Sequence, residues 1–236
     1  MPDNLFIPSV DLRIGSLEEY NRKQKEKASA HYKRPKPRPC ITISRQYGCT
    51  GYPTAEALRE IMVRRTGDEW VMIDKDILDE VAKRHNLSRE ILQRLGEDNR
   101  ILDEVLSTFS ARWKSNYEYF MPLASHIVAL AEQGNVIIVE MGGATITRHI
   151  EHSYHFRIYG SDHFKIATLS SRLKIEPEEA EKLMRRQQKA RDNFSRDFLN
   201  RDHEDPALYD MLFNNDRCSA EKTARMIADF VLSEKS

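Results

Sequence analysis

The fold is decided by Ile41-Thr-Ile-Ser-Arg-Gln-Tyr-Gly-Cys-Thr-Gly51, which continues as Tyr52-Pro-Thr-Ala-Glu-Ala-Leu-Arg-Glu-Ile-Met62. This stretch predicts a short buried strand, a tight turn that contains Gly48 and Gly51, and then a helix. Glycine permits positive φ and lets a ligand approach the backbone closely. Such a turn gathers several N–H groups at the positive end of a helix, where phosphate groups bind. We therefore expect an anion site between the strand and the helix.

Four further apolar runs follow that strand, and charged segments with helical periodicity separate them: Trp70–Ile73, Val136–Val139, Tyr154–Tyr159 and Tyr209–Phe213. Runs without strict alternation are typical of strands that are buried on both faces. Strands that alternate with helices indicate a parallel sheet with right-handed crossovers. We therefore expect an α/β fold with a five-stranded parallel sheet and a helical insertion at about residues 76–134.

Composition excludes several classes of function. The chain has 236 residues, and its 37 basic and 37 acidic residues cancel, so no overall field draws it to nucleic acid or anionic lipid. No apolar stretch approaches the ~18 residues of a membrane helix, and the first residues lack the pattern of a signal peptide. Three cysteines without metal spacing fit free thiols in a reducing cytoplasm. We expect a cytoplasmic protein without membrane association, and nucleic-acid binding is disfavoured.

Residues 1–39 differ from the rest, because Lys and Arg dominate positions 22–38 and three prolines follow closely there. Ser16-Leu-Glu-Glu19 fits a capping box and predicts a short helix to about His31. We interpret residues 1–39 as a basic N-terminal arm, either a solvated tail or a packing arm, and residues 40–236 as the main domain. A nucleic-acid or partner-binding arm remains the alternative for the basic run.

The turn departs from a standard phosphate-binding loop, which reads G-x-x-x-x-G-K-[ST]. This chain has Arg45-Gln-Tyr-Gly-Cys-Thr-Gly-Tyr-Pro-Thr54, with no lysine after Gly51. Arg45 is the cation that we expect to replace the lysine, because its guanidinium fork suits phosphate oxygens. Thr54 is placed to offer its hydroxyl to a metal-bound phosphate.

Four collinear segments resemble motifs of the cytidylate kinase-like proteins, a branch of the phosphate-loop nucleoside monophosphate kinases. They are Ile41-Thr-Ile-Ser-Arg-Gln-Tyr-Gly48, Ile73-Asp-Lys-Asp-Ile-Leu78, Asn135-Val-Ile-Ile-Val-Glu-Met-Gly-Gly143 and Asp205-Pro-Ala-Leu-Tyr-Asp-Met-Leu-Phe-Asn-Asn-Asp216. The resemblance implies a three-layer P-loop kinase fold with a helical lid at about residues 174–204, and the use of ATP and Mg²⁺. It also implies that the donor phosphates contact Arg45, Gly48, Cys49, Thr50, Gly51, Tyr52 and Thr54.

The resemblance implies roles for other residues as well. Asp74 and Gly142 would contact the acceptor, and the lid residues Arg185 and Arg191 would close over the transferred group. Asp74 follows a predicted strand, where ligands bind in open α/β sheets, but an N-cap of the next helix is an equal alternative. Glu140 and Met141 depart from the family pattern, which has glycine and arginine there. Glu140 either holds a magnesium-bound water or caps the next turn.

Three hypotheses of function follow. In the first, the protein is a nucleotide kinase that transfers the γ-phosphoryl group of ATP to a nucleoside monophosphate or a related small acceptor. In the second, the fold is retained as a non-catalytic module that binds a nucleotide or a protein partner. The third is a nucleic-acid binder that uses the basic arm. The sequence leaves the acceptor and the oligomeric state open.

Overall fold

Five parallel strands form the sheet of the protein in a computed structural model that describes residues 8–30, 38–83, 117–199 and 202–233. Their spatial order is β2-β3-β1-β4-β5. The strands are β1 (Cys40–Arg45), β2 (Val71–Ile73), β3 (Val136–Val139), β4 (Ser153–Tyr159) and β5 (Met211–Asn214). Each predicted apolar run thus contains or overlaps a strand, and the predicted five-stranded parallel α/β fold is confirmed.

Helices cover both faces of this sheet. They are α1 (Val10–Ala30), α2 (Gly51–Thr66), α3 (Lys75–Lys83), α4 (Tyr117–Gln133), α5 (Gly143–Ile146), α6 (Asp162–Leu173), α7 (Pro177–Leu199) and α8 (Ala220–Ser233), with a 3₁₀ turn at Pro206–Leu208. The predicted insertion begins with α3 and ends with α4, while residues 84–116 between them lie outside the described residues. The predicted lid segment contains α7. None of the helices in the described ranges is long and apolar enough to cross a membrane.

Alternation along the strands divides the core into two layers. Ile41 and Ile43 of β1 pack with α2 and α8 on one face, together with Phe156 and Ile158 of β4. We call this the α2 face. Cys40 packs on the other face, in a cluster to which α1, α3 and α4 contribute. We call it the α4 face. The sheet with helices on both faces forms the three layers that the resemblance implies.

The N-terminal helix α1 belongs to the α4-face core. Its residues Ile14, Leu17 and Tyr20 are each only 1% exposed, and they recur every three residues on one side of the helix. Tyr20 donates a hydrogen bond to the carbonyl of Gly134. The predicted helix start at Ser16 is wrong, because Ser16 lies inside α1 and donates to the carbonyl of Leu12. The domain boundary at residue 40 stays a prediction.

Candidate functional site

The turn between β1 and α2 is held by side chains from distant parts of the chain. The amide of Tyr47 donates to Oε1 of Gln188 in α7 at 2.8 Å, and the amide of Thr50 donates to Oδ1 of Asn215 at 2.8 Å. Gly48 has a φ of 96°, and a Cβ there would lie 2.8 Å from Cβ of Lys165. Of the amides that we expected to face a phosphate, that of Thr50 is thus occupied, and that of Cys49 donates to the carbonyl of Gln46 at 3.1 Å.

Two other residues of the turn are occupied within the protein. Thr54 is fully buried, and its hydroxyl donates to the carbonyl of Thr50 at 2.7 Å. Burial raises the pKa of the Cys49 thiol to about 11, so Cys49 is an uncharged packing residue at neutral pH. The expected contact between Thr54 and a metal-bound phosphate stays a prediction, and it would require the hydroxyl to leave Thr50.

The side chain of Arg45 lies directly against Gly51. A Cβ at position 51 would overlap Cδ of Arg45 and would lie 3.0 Å from Nε. If Arg45 is aligned with the first glycine of the standard loop pattern, the lysine of that pattern falls on residue 51. The side chain of Arg45 therefore fills the space that a side chain at position 51 would occupy. Arg45 brings positive charge to the place where a standard loop has its lysine.

Several donors in the turn and at the start of α2 have no acceptor in the part of the chain that the structure describes. Within the described residues, the amides of Gly48, Gly51 and Tyr52 have no hydrogen-bond acceptor. Nε of Arg45 is buried and makes no hydrogen bond, although an oxygen of Glu140 is 3.5 Å away. Buried donors are normally satisfied, so this arrangement fits an anion such as a phosphate group. A longer polyphosphate would also need the amides that Gln188 and Asn215 now occupy.

Glu140 links the turn to α7. Its carboxylate forms an ion pair with Arg191 and lies 3.5 Å from Nε of Arg45. The guanidinium carbons of Arg191 and Arg45 are 5.1 and 6.0 Å from the ring centre of Tyr47. Burial lowers the pKa of Arg191, and the charge of Glu140 opposes that shift. One carboxylate thus holds two arginines that would otherwise repel each other.

The backbone at Glu140 is strained. Glu140, Met141 and Gly142 have φ values of 70°, 60° and 69°, so three successive residues are left-handed. The left-handed conformation costs a residue with a Cβ about 1–2 kcal/mol relative to glycine. Such strain often occurs at functional sites. The glycine expected at position 140 from the family pattern would avoid it, so the carboxylate is retained here at an energetic cost.

Two cavities meet at the carboxyl end of the sheet, and the residues common to their linings are Arg45, Lys75, Glu140, Gln187 and Arg191. We call these residues the shared wall. The first has a volume of about 940 Å³, and its lining includes Tyr47 of the turn and Asp74 after β2. We call it the turn-side cavity. The second has a volume of about 440 Å³ and lies toward the α4 face of the sheet. We call it the strand-side cavity, and the described residues that line it include Met141, Gly142, Ala144, Arg157, His203 and Tyr209.

Asp74 performs the capping role that was one of its two predicted alternatives. Its Oδ1 accepts from the amide of Ile77 at 3.1 Å. Its Oδ2 forms an ion pair with Arg13 of α1, whose side chain is 9% exposed. Burial raises the pKa of Asp74, and the charge of Arg13 opposes the shift. Contact between Asp74 and an acceptor stays a prediction, and in this structure both carboxylate oxygens already have partners.

The structure brings some predicted site residues together and leaves others apart. The residues that line one or both cavities are Arg45, Tyr52, Asp74, Gly142 and Arg191. The residues Gly48, Cys49, Thr50, Gly51 and Thr54 form the turn and the start of α2 but do not appear in either lining. Arg185 is paired with Glu181 on the exposed side of α7 and does not line the described cavities. The catalytic role of Arg185 stays a prediction.

Sequence reasoning missed two arginines near the site, the buried Arg157 and the partly buried Arg13. Arg157 is 3% exposed and lies between the core residues Phe156 and Ile158 of β4. An arginine inside an apolar run was a signal that we could have used. Arg13 had no such signal, because it stands among many charged residues that precede the first strand.

Comparison with known proteins agrees with this architecture. Residues 40–217 match the model of the cytidylate kinase-like family, whereas no curated protein matches the chain. An uncharacterized protein from Eubacterium ventriosum has a similar structure, with 20% sequence identity and a TM-score of 0.56 over 83% of this chain and 99% of its own. A shikimate kinase from Bacteroides thetaiotaomicron covers 83% of this chain and 98% of its own, at 13% identity and a TM-score of 0.42. The matched family model spans well over half of the residues, and the chain belongs to the cytidylate kinase-like family.

Proposed function

We propose that this protein is a nucleotide kinase that transfers the γ-phosphoryl group of ATP to a nucleoside monophosphate or a similar small acceptor. The observation that carries the proposal is the position of Arg45, whose side chain fills the space that a side chain at residue 51 would enter. A buried Nε without a hydrogen bond gives that arginine a donor to offer. Membership of the family supports the same reading.

The residues around the turn have distinct roles in this proposal. The amides of Gly48, Gly51 and Tyr52 and the guanidinium of Arg45 bind the donor phosphates, because a helix N-terminus favours negative charge. Arg191 on α7 stabilises charge on the transferred group, since phosphoryl transfer depends mainly on positioning and on nearby cations. Mg²⁺, when bound, neutralises charge on the phosphates and is usually held by phosphate oxygens with one or two carboxylates. Glu140, a carboxylate common to the two cavity linings, already pairs with Arg191 and lies 3.5 Å from Nε of Arg45, so phosphate oxygens would supply most of the ligands of the ion.

The direct test is acceptor-dependent formation of ADP. Purified protein is incubated with ATP, Mg²⁺ and each of the four ribonucleoside monophosphates, and ADP is measured. Arg45→Ala should abolish acceptor-dependent ADP, because it removes the cation of the loop. Arg64→Ala is the matched control, since Arg64 is an exposed arginine near the opposite end of α2. Equal activity of the wild type and Arg45→Ala would contradict the proposal.

A non-catalytic nucleotide-binding module is the second candidate. The observation that favours it is the occupation of the Tyr47 and Thr50 amides by Gln188 and Asn215. A module of this kind would produce no ADP, yet ATP would still raise its thermal stability. Saturation at 100 times the dissociation constant would add about 2.7 kcal/mol to the free energy of unfolding. Stabilisation by ATP without turnover would therefore select this candidate over the kinase.

A further inference from the structure

Arg157 is a buried cation in a strand that is otherwise built for the core. It alternates with Phe156 and Ile158, so its side chain leaves β4 on the α4 face, opposite the α2 layer. Burying a charge is costly unless partners compensate it. Here the partners are an oxygen of Glu204 at 3.3 Å and Tyr209, whose hydroxyl accepts from Arg157 at 3.5 Å and whose ring centre is 5.7 Å from the guanidinium carbon. The side chain of Glu204 is itself 59% exposed, so the compensation is weak.

The strand-side cavity that Arg157 lines has an excess of positive charge. Arg45, Arg191 and Lys75 line it as well, and Glu140 is the carboxylate among its described lining residues. Lys75 is paired with Asp79 at 2.8 Å, so the excess comes from the three arginines. His203 does not add charge, because burial and the nearby guanidinium of Arg157 lower its pKa. The cavity therefore favours an anion.

The rest of the lining is apolar and the volume is that of a small-molecule site. Leu123, Met141, Ala144 and Ala190 contribute apolar surface, and Tyr209 contributes an aromatic ring. A volume of about 440 Å³ falls within the range of ligand pockets. The ligand that these walls complement carries a compact anionic group at one end and an apolar or aromatic body at the other.

The position of the cavity relates it to the turn. Arg45, Glu140 and Arg191 lie between it and the turn-side cavity. Ligands bound in the two cavities would therefore both reach the guanidinium groups of Arg45 and Arg191. The alternative acceptor position at Asp74 is less favourable, because Arg13 and the amide of Ile77 already bind that carboxylate. In the strand-side cavity, Arg45 and Arg191 share the carboxylate of Glu140, and the carboxylate that pairs with Arg157 is largely exposed.

We propose that the strand-side cavity binds the acceptor, a phosphate monoester with an aromatic body, and that Arg157 binds its phosphate. This inference rests on the proposed kinase function and assigns the acceptor site of that reaction. A phosphate oxygen of the acceptor forms the new bond to the γ-phosphorus of ATP. The bond from that phosphorus to the β–γ bridging oxygen breaks, and ADP leaves with the bonding pair. The acceptor oxygen is already ionised at neutral pH, so the step needs no general base.

The test measures binding of the two substrates separately by calorimetry. The probes are the four 5′-ribonucleoside monophosphates, the corresponding nucleosides without phosphate, and a non-hydrolysable ATP analogue. Arg157→Met should weaken monophosphate binding at least tenfold, which is the usual effect of losing one charged hydrogen bond. It should change the affinity for the ATP analogue less than twofold. Arg217→Met, which changes an exposed arginine, should change neither affinity.

A second variant covers the case in which Arg157→Met does not fold. Arg157→Lys retains the charge but loses the fork, so it should weaken binding of the monophosphate while leaving binding of the nucleoside unchanged. The inference is overturned if Arg157 variants that fold bind the monophosphate as well as the wild type does. It is also overturned if no monophosphate binds at millimolar concentration, or if monophosphate and nucleoside lose affinity equally. Loss of ADP formation with intact, Arg157-dependent binding would instead contradict the proposed function alone.

Discussion

Glu140→Gln is the substitution that most directly probes the shared wall of the two cavities. It replaces the carboxylate by an amide of nearly the same shape and leaves the left-handed backbone at residue 140 in place. The side chains of Glu140, Arg191 and Arg45 are 25%, 27% and 19% exposed, so the cluster is neither at the open surface nor fully buried. The variant removes the charge that holds the two arginines together.

The size of the effect follows from that partial burial. A charge pair at 3.5 Å has a gross attraction of about 5 kcal/mol at an effective dielectric constant of about 20. Desolvation and screening offset most of this, and measured values run from below about 1 kcal/mol at exposed sites to about 3–5 kcal/mol at buried ones. We expect the variant to lose about 2 kcal/mol of unfolding free energy, or about 4–8 °C in Tm for a chain of this size.

Thermal unfolding with and without ATP is the assay. The wild type must displace Glu140 from two guanidiniums before an anion can bind them, whereas Glu140→Gln presents them free. ATP should therefore raise the Tm of the variant more than that of the wild type and recover part of the lost stability. Glu181→Gln is the matched control, because Glu181 pairs with Arg185 on the exposed side of α7. It should lower the free energy of unfolding by less than about 1 kcal/mol. An unchanged Tm together with an unchanged response to ATP would refute this reasoning.

Three further predictions concern the turn and the core. Gly51→Lys should weaken ATP binding in calorimetry, because its Cβ would overlap the side chain of Arg45. Adding Arg45→Ala should restore ATP binding. If the double variant does not bind ATP, a lysine at position 51 is not equivalent to Arg45. Gln188→Ala removes the acceptor of the Tyr47 amide, so hydrogen exchange at that amide should become faster and ATP binding tighter; a slower exchange would argue against the contact. Burial lowers the pKa of His155 to about 4, so the unfolded state binds more protons between about pH 6.5 and 4. The free energy of unfolding should therefore fall by about 3 kcal/mol as the pH decreases through that window. His155→Asn should flatten this part of the stability profile, and an unaltered profile would show that another group causes it.

The sheet could be predicted from the sequence because its signal is local. Each strand contains a short apolar run, and the glycines of the turn after β1, Gly48 and Gly51, indicate where α2 begins. The helix boundary at the N-terminus could not be predicted in the same way, because the buried residues Ile14 and Leu17 are surrounded by charged positions that resemble a solvated arm. The capping-box pattern at residues 16–19 predicted a helix in this arm, but it identified neither the start of the helix nor the face that packs.

The contacts of the turn were beyond sequence reasoning for a different reason. Tyr47 and Gln188 are 141 positions apart, and Thr50 and Asn215 are 165 positions apart. Only the assembled fold determines which distant polar side chains come to those amides. The same limit applies to the replacement of the loop lysine by Arg45. The sequence identified Arg45 as the replacing cation, but it could not show that the side chain of Arg45 lies against Gly51.

The helix α1 lies ahead of the residues that match the family, yet it seals one layer of the core and supplies the counter-charge of Asp74. If the protein were cut back to residue 40, the groove that receives Ile14, Leu17 and Tyr20 would open to water, and a carboxylate would be left without its cation. We expect such a shortened protein to aggregate and lose its cooperative melting. Experiments on this family member should therefore keep the segment that sequence matching would discard.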